Sequence, residues 1–328
     1  MNQFEWVNAT SIDQALAAVT PRSSFKAGGV DLLDLMKDGI ASPQRLVNIR
    51  NIQGLDQISE DARGLHIGPL ATLAQIEEHP VIRKKYIAIA EAASRAATPQ
   101  IRNMATAGGN LVQRPRCWYF RSEHFQCRKK GGTHCFAQDG ENDYHAIFDN
   151  RTCAIVHPSG LAVPLVAMNA RLELTSRKGK RDIALEKFFI SPEQDVTREN
   201  VIQSDELITR ITVPSTTART AYYKQGEKES FDWPIADVAV SLEMDGARCR
   251  NASIILGAAA PYPYRAKSAE ARLNGAAINE ENAHEAATQA VANATPLAKN
   301  AYKIPIFEAI IRRTILRAAG VSADGAAA

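Results

Sequence analysis

Residues 23–37, SSFKAGGVDLLDLMK, change character halfway along. SSFKA reads as a strand, Gly28 and Gly29 break it, and DLLDLMK carries leucines at helical spacing. In a strand, glycine turn and helix in that order, successive backbone N–H groups can face a phosphate, because glycine permits the turn and leaves no side chain in the way. The turn lacks the GxGxxG spacing and the GK[ST] ending, so neither a dinucleotide Rossmann turn nor a P-loop fits. An ordinary strand-to-helix turn is the competing reading.

The same alternation extends on both sides, the signature of an α/β unit. FEWVN is a strand, and Ser11 caps a helix with Gln14 completing a capping box. RLVNI is a third strand and residues 63–69 (RGLHIGP) a fourth, followed by helices over TLAQIEEH and YIAIAEAASRAA. From Pro99 to Ala154 the pattern dissolves into a long segment rich in glycine, charge and cysteine. Loops of that length inside a compact domain are functional or disordered, and the aromatic content of WYFRSEHFQC argues against disorder. Regular structure resumes with AIVHP, a short helix over LAVPLVAMN, and strands at ARLELTS and LITRITVP. Beyond Pro214–Thr220 come the alternating runs TARTAYYK, IADVAVSLEM and RNASIILGAAA, then alanine-rich helices, which together suggest an α+β subdomain. The terminal SADGAAA is expected to fray.

With 328 residues, 45% apolar and 23% charged, the chain can bury a sizeable core. A net charge of +3 gives no reason to expect nucleic acid or an anionic membrane. No stretch has the unbroken apolar length of a membrane span, and the acidic start lacks the character of a signal peptide. Five cysteines are too few for a disulfide scaffold, and four of them lie between Cys117 and Cys153. Cys249 stands apart and reads as a buried structural thiol.

A second glycine segment, Thr106-Ala107-Gly108-Gly109-Asn110-Leu111, lies at the edge of the irregular region without a helix signal of its own. Two loops able to approach a ligand closely suit one long molecule with a pyrophosphate. Just beyond, Cys117, Cys127, Cys135 and Cys153 follow at intervals of 10, 8 and 18 residues. Four thiolates suit a cubic iron–sulfur cluster, whereas structural zinc usually draws on close C-x2-C pairs, absent here. Zinc stays open. Arg114, Arg116, Arg121, Arg128, Lys129 and Lys130 lie among the cysteines, where positive charge favours thiolates. Interleaved with Trp118, Tyr119 and Phe120 they also allow a nucleic-acid patch, which the balanced charge of the rest disfavours. His124, His134 and His145 read as loop polar groups. Cys117 follows Asn110 by seven residues, at most about 25 Å of extended chain.

KAGGVDLLDLMK, IRNMATAGGNLVQR, HPSGLAVPLVAMNARLEL, DELITRITVP and AYYKQGEKESFDWPIADVAVSL together resemble the FAD-binding medium subunits of the molybdenum hydroxylases, a family that includes carbon monoxide and xanthine dehydrogenases. The cysteine insert RCWYFRSEHFQCRKKGGTHC, with DYHAIF and Cys153, is similar to that of the flavin subunits of periplasmic aldehyde oxidoreductases and, more loosely, of 4-hydroxybenzoyl-CoA reductase. The resemblance covers nearly the whole chain. It implies an α+β protein with a vanillyl-alcohol-oxidase type FAD domain of two α/β subdomains (1–55 and 56–216, the second with an inserted loop at about 114–154) and a C-terminal α+β subdomain, 217–328, of the CO dehydrogenase flavoprotein type.

By the same resemblance FAD is held by Lys26, Ala27, Gly28, Gly29, Val30, Asp31, Leu32 and Leu33, by Thr106, Ala107, Gly108, Gly109 and Asn110, and secondarily by Ser159, Leu207, Ile208 and Lys224. Cys117, Cys127, Cys135 and Cys153 would hold a 4Fe-4S cluster. Gly160 departs from the family's common Ser-Asp-Leu, so no carboxylate reaches the cofactor there, and Ser159, backbone or water must serve. The implied partners are a small 2Fe-2S subunit and a large molybdopterin subunit that carries the substrate site, with electrons leaving through FAD to an external acceptor. The implied location is the periplasm by co-export with a signal-bearing partner, or else the cytoplasm. A free-standing flavin oxidoreductase and a zinc-stabilised, non-redox binding module are the alternatives.

Overall fold

The computed structural model describes residues 1–321, and the expected fraying of SADGAAA falls outside them. Three sheets organise the chain. In the first, β1 (Glu5–Asn8), β2 (Ser23–Lys26) and β3 (Arg45–Asn48) run parallel in the order β1-β3-β2, with Val7 and Phe25 both registered on Val47. Parallel neighbours need crossovers, here the helices Ile12–Ala17 and Val30–Lys37. Ser11 Oγ caps the first by accepting the Gln14 N–H at 3.2 Å. The return half of the expected box is displaced by one residue, because the Gln14 amide oxygen accepts from Thr10 rather than Ser11.

The second sheet holds β4 (Ile58–Asp61), β5 (Gly64–Ile67), β6 (Arg171–Ser176), β7 (Gly179–Ala184) and β8 (Leu207–Pro214), antiparallel in the order β4-β5-β8-β6-β7. Its edges, β4 and β7, were not among the expected strands. Their sequences, ISED and GKRDIA, are exposed along most of their length and so lack the apolar alternation that marks a half-buried strand. AIVHP, expected as regular structure, has no strand or helix: its backbone bonds to other loops, as where the His157 N–H meets the Ala260 carbonyl.

The third sheet is antiparallel, β12 (Tyr264–Arg265), β11 (Arg248–Gly257), β10 (Ala236–Asp245) and β9 (Arg219–Gln225). Val238, Val240 and Leu242 of β10 face the helices Lys267–Leu273, Glu280–Val291 and Lys303–Ala319, while Ala239 and Ile255 pack toward the second sheet and the helix Ala162–Ala167. Burial on both faces explains why β10 and β11 read as nearly continuous apolar runs. Cys249 is fully buried in this core, as expected of a structural thiol. Among the described residues no helix is long and apolar enough to cross a membrane.

Candidate functional site

Two cavities flank one wall. The larger, a cleft of about 520 Å³, lies between the first and second sheets. Lys26 to Leu32, Thr106, Gly108, Gly109, Asn110, Leu207 and Ile208 line it, while Leu33 and Ala107 lie just outside the lining. The first glycine segment turns through Gly29 at φ +80°, and the helix that follows has no side-chain cap. The amides of Val30, Asp31 and Leu32, the first three of that helix, therefore have no intrahelical acceptor, and all three residues line the cavity, an arrangement that suits a pyrophosphate.

The second segment behaves differently. Residues Ala107–Leu111 form a short helix where none was expected, with Thr106 Oγ1 accepting the Gly109 N–H at 3.2 Å. The Ala107 and Gly108 amides are spent on the carbonyls of Ala71 and Pro69. Its contribution is a bare surface at Gly109, where an added Cβ would meet only Thr106 Oγ1, together with the Asn110 side chain. Asn110 is fixed from behind: Ser159 Oγ donates to its Oδ1 at 2.6 Å. Ser159 is buried and outside the cavity lining; the half-buried Lys224 is also outside it, its ammonium tied to the carbonyls of Arg95 and Asp232. Gly160 abuts Tyr222, whose hydroxyl donates to the fully buried Asp237 at 2.9 Å. The Asp31 carboxylate is engaged by the Arg114 N–H and the guanidinium groups of Arg116 and Arg121. Ile202, Gln203 and Ser204 complete the lining from the segment before β8, where no motif or periodicity distinguishes them.

The smaller cavity, only about 10 Å³, brings all four cysteines together: Cys117, Cys127, Cys135 and Cys153 line it. His145, read from sequence as a loop polar group, belongs there too, with Nε2 3.3 Å from Cys117 Sγ. Burial, then the nearby Lys303, pushes its imidazole down to about 4, so it is neutral. Burial raises the Cys117 thiol to about 11. Cys135 falls below the ordinary thiol range because Cys153 donates a hydrogen bond to it, and the same bond keeps Cys153 protonated. Among the described residues, no three His, Cys, Asp or Glu side chains converge as ligands of a metal ion.

The six cations do not all face the sulfurs. Arg128 and Lys129 line the cavity, whereas Arg116 and Arg121 bind Asp31 and Asp34, and Lys130 bonds the Ser122 carbonyl. Leu35, on the larger cavity, packs against Phe120 and Cys127 on the smaller, so one apolar layer separates the two.

Residues 2–216 match the model of the FAD binding domain in molybdopterin dehydrogenase, and residues 221–318 that of the CO dehydrogenase flavoprotein C-terminal domain. The FAD-binding subunit of an aldehyde oxidoreductase from Escherichia coli is 33% identical over 92% of this chain and 93% of its own. The FAD subunit of nicotinate dehydrogenase from Eubacterium barkeri is 28% identical over 86% and 83%. The carbon monoxide dehydrogenase structure from Hydrogenophaga pseudoflava superposes with a TM-score of 0.75 at 26% identity, covering 97% of each chain. With its FAD-binding domain and its C-terminal domain both matched, and a relative of that identity along nearly its whole length, the chain belongs to the FAD-binding subunits of the molybdenum hydroxylase family.

Proposed function

We propose that this chain is the electron-exit subunit of a heteromeric, molybdenum-containing aldehyde oxidoreductase, with FAD in the larger cavity and a 4Fe-4S cluster in the smaller. The observation that carries the reading is the shared wall: Leu35 on the larger cavity and Phe120 and Cys127 on the smaller pack in one apolar cluster. Bound FAD would supply a two-electron acceptor able to hand electrons to an external oxidant. The free amides of residues 30–32 would hold its pyrophosphate, Gly109 would allow close approach, and Leu207 and Ile208 would exclude water from its ring. Ser159 acts through Asn110, and Lys224 through the loop it anchors.

The donor set of the smaller cavity fits a cluster better than one ion. All four cysteines line one cavity, and a cubane takes one thiolate for each of its four irons. The intervals of 10, 8 and 18 residues, without a close C-x2-C pair, weigh against the zinc-stabilised module. The partners in this reading are a small 2Fe-2S subunit and a large molybdopterin subunit. The division into subdomains 1–55, 56–216 and 217–328, one per sheet, belongs to the same proposal. Iron, acid-labile sulfide and flavin analysis with a visible spectrum is the test: a colourless protein with zinc would overturn it. Reduction of the flavin in the isolated chain by aldehyde alone would favour a free-standing oxidoreductase instead.

A further inference from the structure

Glu199, 7% exposed, lies in the partition between the cavities. Its Oε1 accepts from Lys129 Nζ at 2.7 Å and from Arg114 Nη2 at 3.0 Å, and its Oε2 from Arg114 Nε at 3.1 Å. Lys129 lines the cysteine cavity with a side chain only 1% exposed, and Arg114 lines the larger cavity. The Arg114 guanidinium also sits 4.7 Å from the centroid of the Phe120 ring, which belongs to the cysteine side. One carboxylate thus grips a cation on each face of the wall.

The charges around it do not balance. Arg114, Arg116, Arg121 and Lys129 face Glu199, Asp31 and Asp34, four cations against three anions, and Asp34 is 53% exposed. Arg128, also on the cavity wall, is held by the carbonyls of Thr133 and Thr152 without any carboxylate. A surplus of positive charge that is only partly solvated, with the Arg114, Arg116 and Arg121 side chains 31%, 23% and 12% exposed, is costly unless an anion lies beside it. A cluster held by four thiolates is such an anion.

The geometry points to Lys129 as a counter-charge for the occupant of the cysteine cavity without being a ligand to it, and to Glu199 as the group that couples this charge, through Arg114, to the flavin side. The inference rests on the cluster reading above. One-electron reduction adds one negative charge to the cluster, and a fixed, dehydrated ammonium favours the reduced form over the oxidised one. Without Lys129 the cluster is harder to reduce. Without the Glu199 charge, Lys129 and Arg114 lose their shared anion, and cluster and flavin both become easier to reduce.

The test compares wild type with Lys129→Met, Lys129→Arg and Glu199→Gln in the full-length chain within its native complex. Each is assayed for iron, sulfide and FAD and then titrated with dithionite, the cluster followed by electron paramagnetic resonance and the flavin by absorbance. Lys129→Met leaves Glu199 paired with Arg114, so it loses a cation without stranding a buried carboxylate. It is expected to lower the reduced-to-oxidised ratio of the cluster at least tenfold at the wild-type midpoint, a shift of about 59 mV, while Lys129→Arg restores most of it. Full iron and sulfide with an unmoved midpoint in Lys129→Met would overturn the counter-charge. A Glu199→Gln shift confined to the cluster would overturn the coupling. Wild-type protein without acid-labile sulfide would instead sink the cluster reading on which both depend.

Discussion

Gly28 lies so close to the Met104 carbonyl that a β-carbon at residue 28 would overlap it. The first glycine segment therefore meets, backbone to backbone, the residues just before the second, and Gly28 is needed for that contact before any ligand is considered. Gly28→Ala is expected to lose FAD and to lower the melting temperature of the apo-protein as well, since forced overpacking costs about 1–3 kcal/mol. Stoichiometric FAD with an unchanged apo melting temperature would refute the close contact.

The second segment offers a milder test. Thr106 Oγ1 caps the helix Ala107–Leu111, and losing such a cap costs about 0.5–2 kcal/mol. Thr106→Ala is expected to weaken FAD binding by roughly tenfold in a fluorescence titration, with Thr106→Ser close to wild type. Equal loss in both variants would mean that the methyl group, rather than the hydroxyl, matters.

Much of this arrangement was legible in the sequence, for reasons specific to particular residues. The first turn was readable because Gly28 and Gly29 interrupt a clear change of periodicity, and the cysteines because their chemistry needs no periodicity at all. The edge strands β4 and β7 were not, since solvated edges carry no apolar pattern. The role of Glu199 was hidden as well: it lies 70 residues from Lys129 and 85 from Arg114, and nothing local marks such a pairing.

A pH dependence follows from the buried pair behind Gly160. Burial lifts the Asp237 carboxyl from its ordinary 3.8 to about 7, and its Oδ1 has no hydrogen-bond partner. The folded state then keeps a proton that the unfolded state releases. Its contribution is fully present below pH 4 and is lost as pH rises to 7, by about 1.4 kcal/mol for each pH unit crossed. Lys303, pushed down to about 7 by burial, works in the opposite sense between pH 7 and its ordinary 10.5. Asp237→Asn is expected to raise the melting temperature relative to wild type at pH 8 more than at pH 4. An equal offset at both pH values would rule out a titrating Asp237.

Cys117→Ser is expected to remove most of the iron while leaving FAD largely bound, because Cys117 lies outside the larger cavity proposed for FAD. Asp31→Asn should behave differently. Asp31 belongs to the helix that follows the first glycine turn, yet its carboxylate accepts the Arg114 N–H at 2.8 Å and binds Arg116 and Arg121 at 2.8 and 2.7 Å. With side chains 23% and 12% exposed, those arginines are only partly solvated, and loss of their shared anion should cost about 2–3 kcal/mol, less than a fully buried pair. The insert would then loosen from the turn, and iron and FAD should both fall, with sensitivity to salt greater than in wild type. If Asp31→Asn lost FAD alone, the carboxylate would be acting on the cofactor directly, and the brace between the two cavities would have to lie elsewhere.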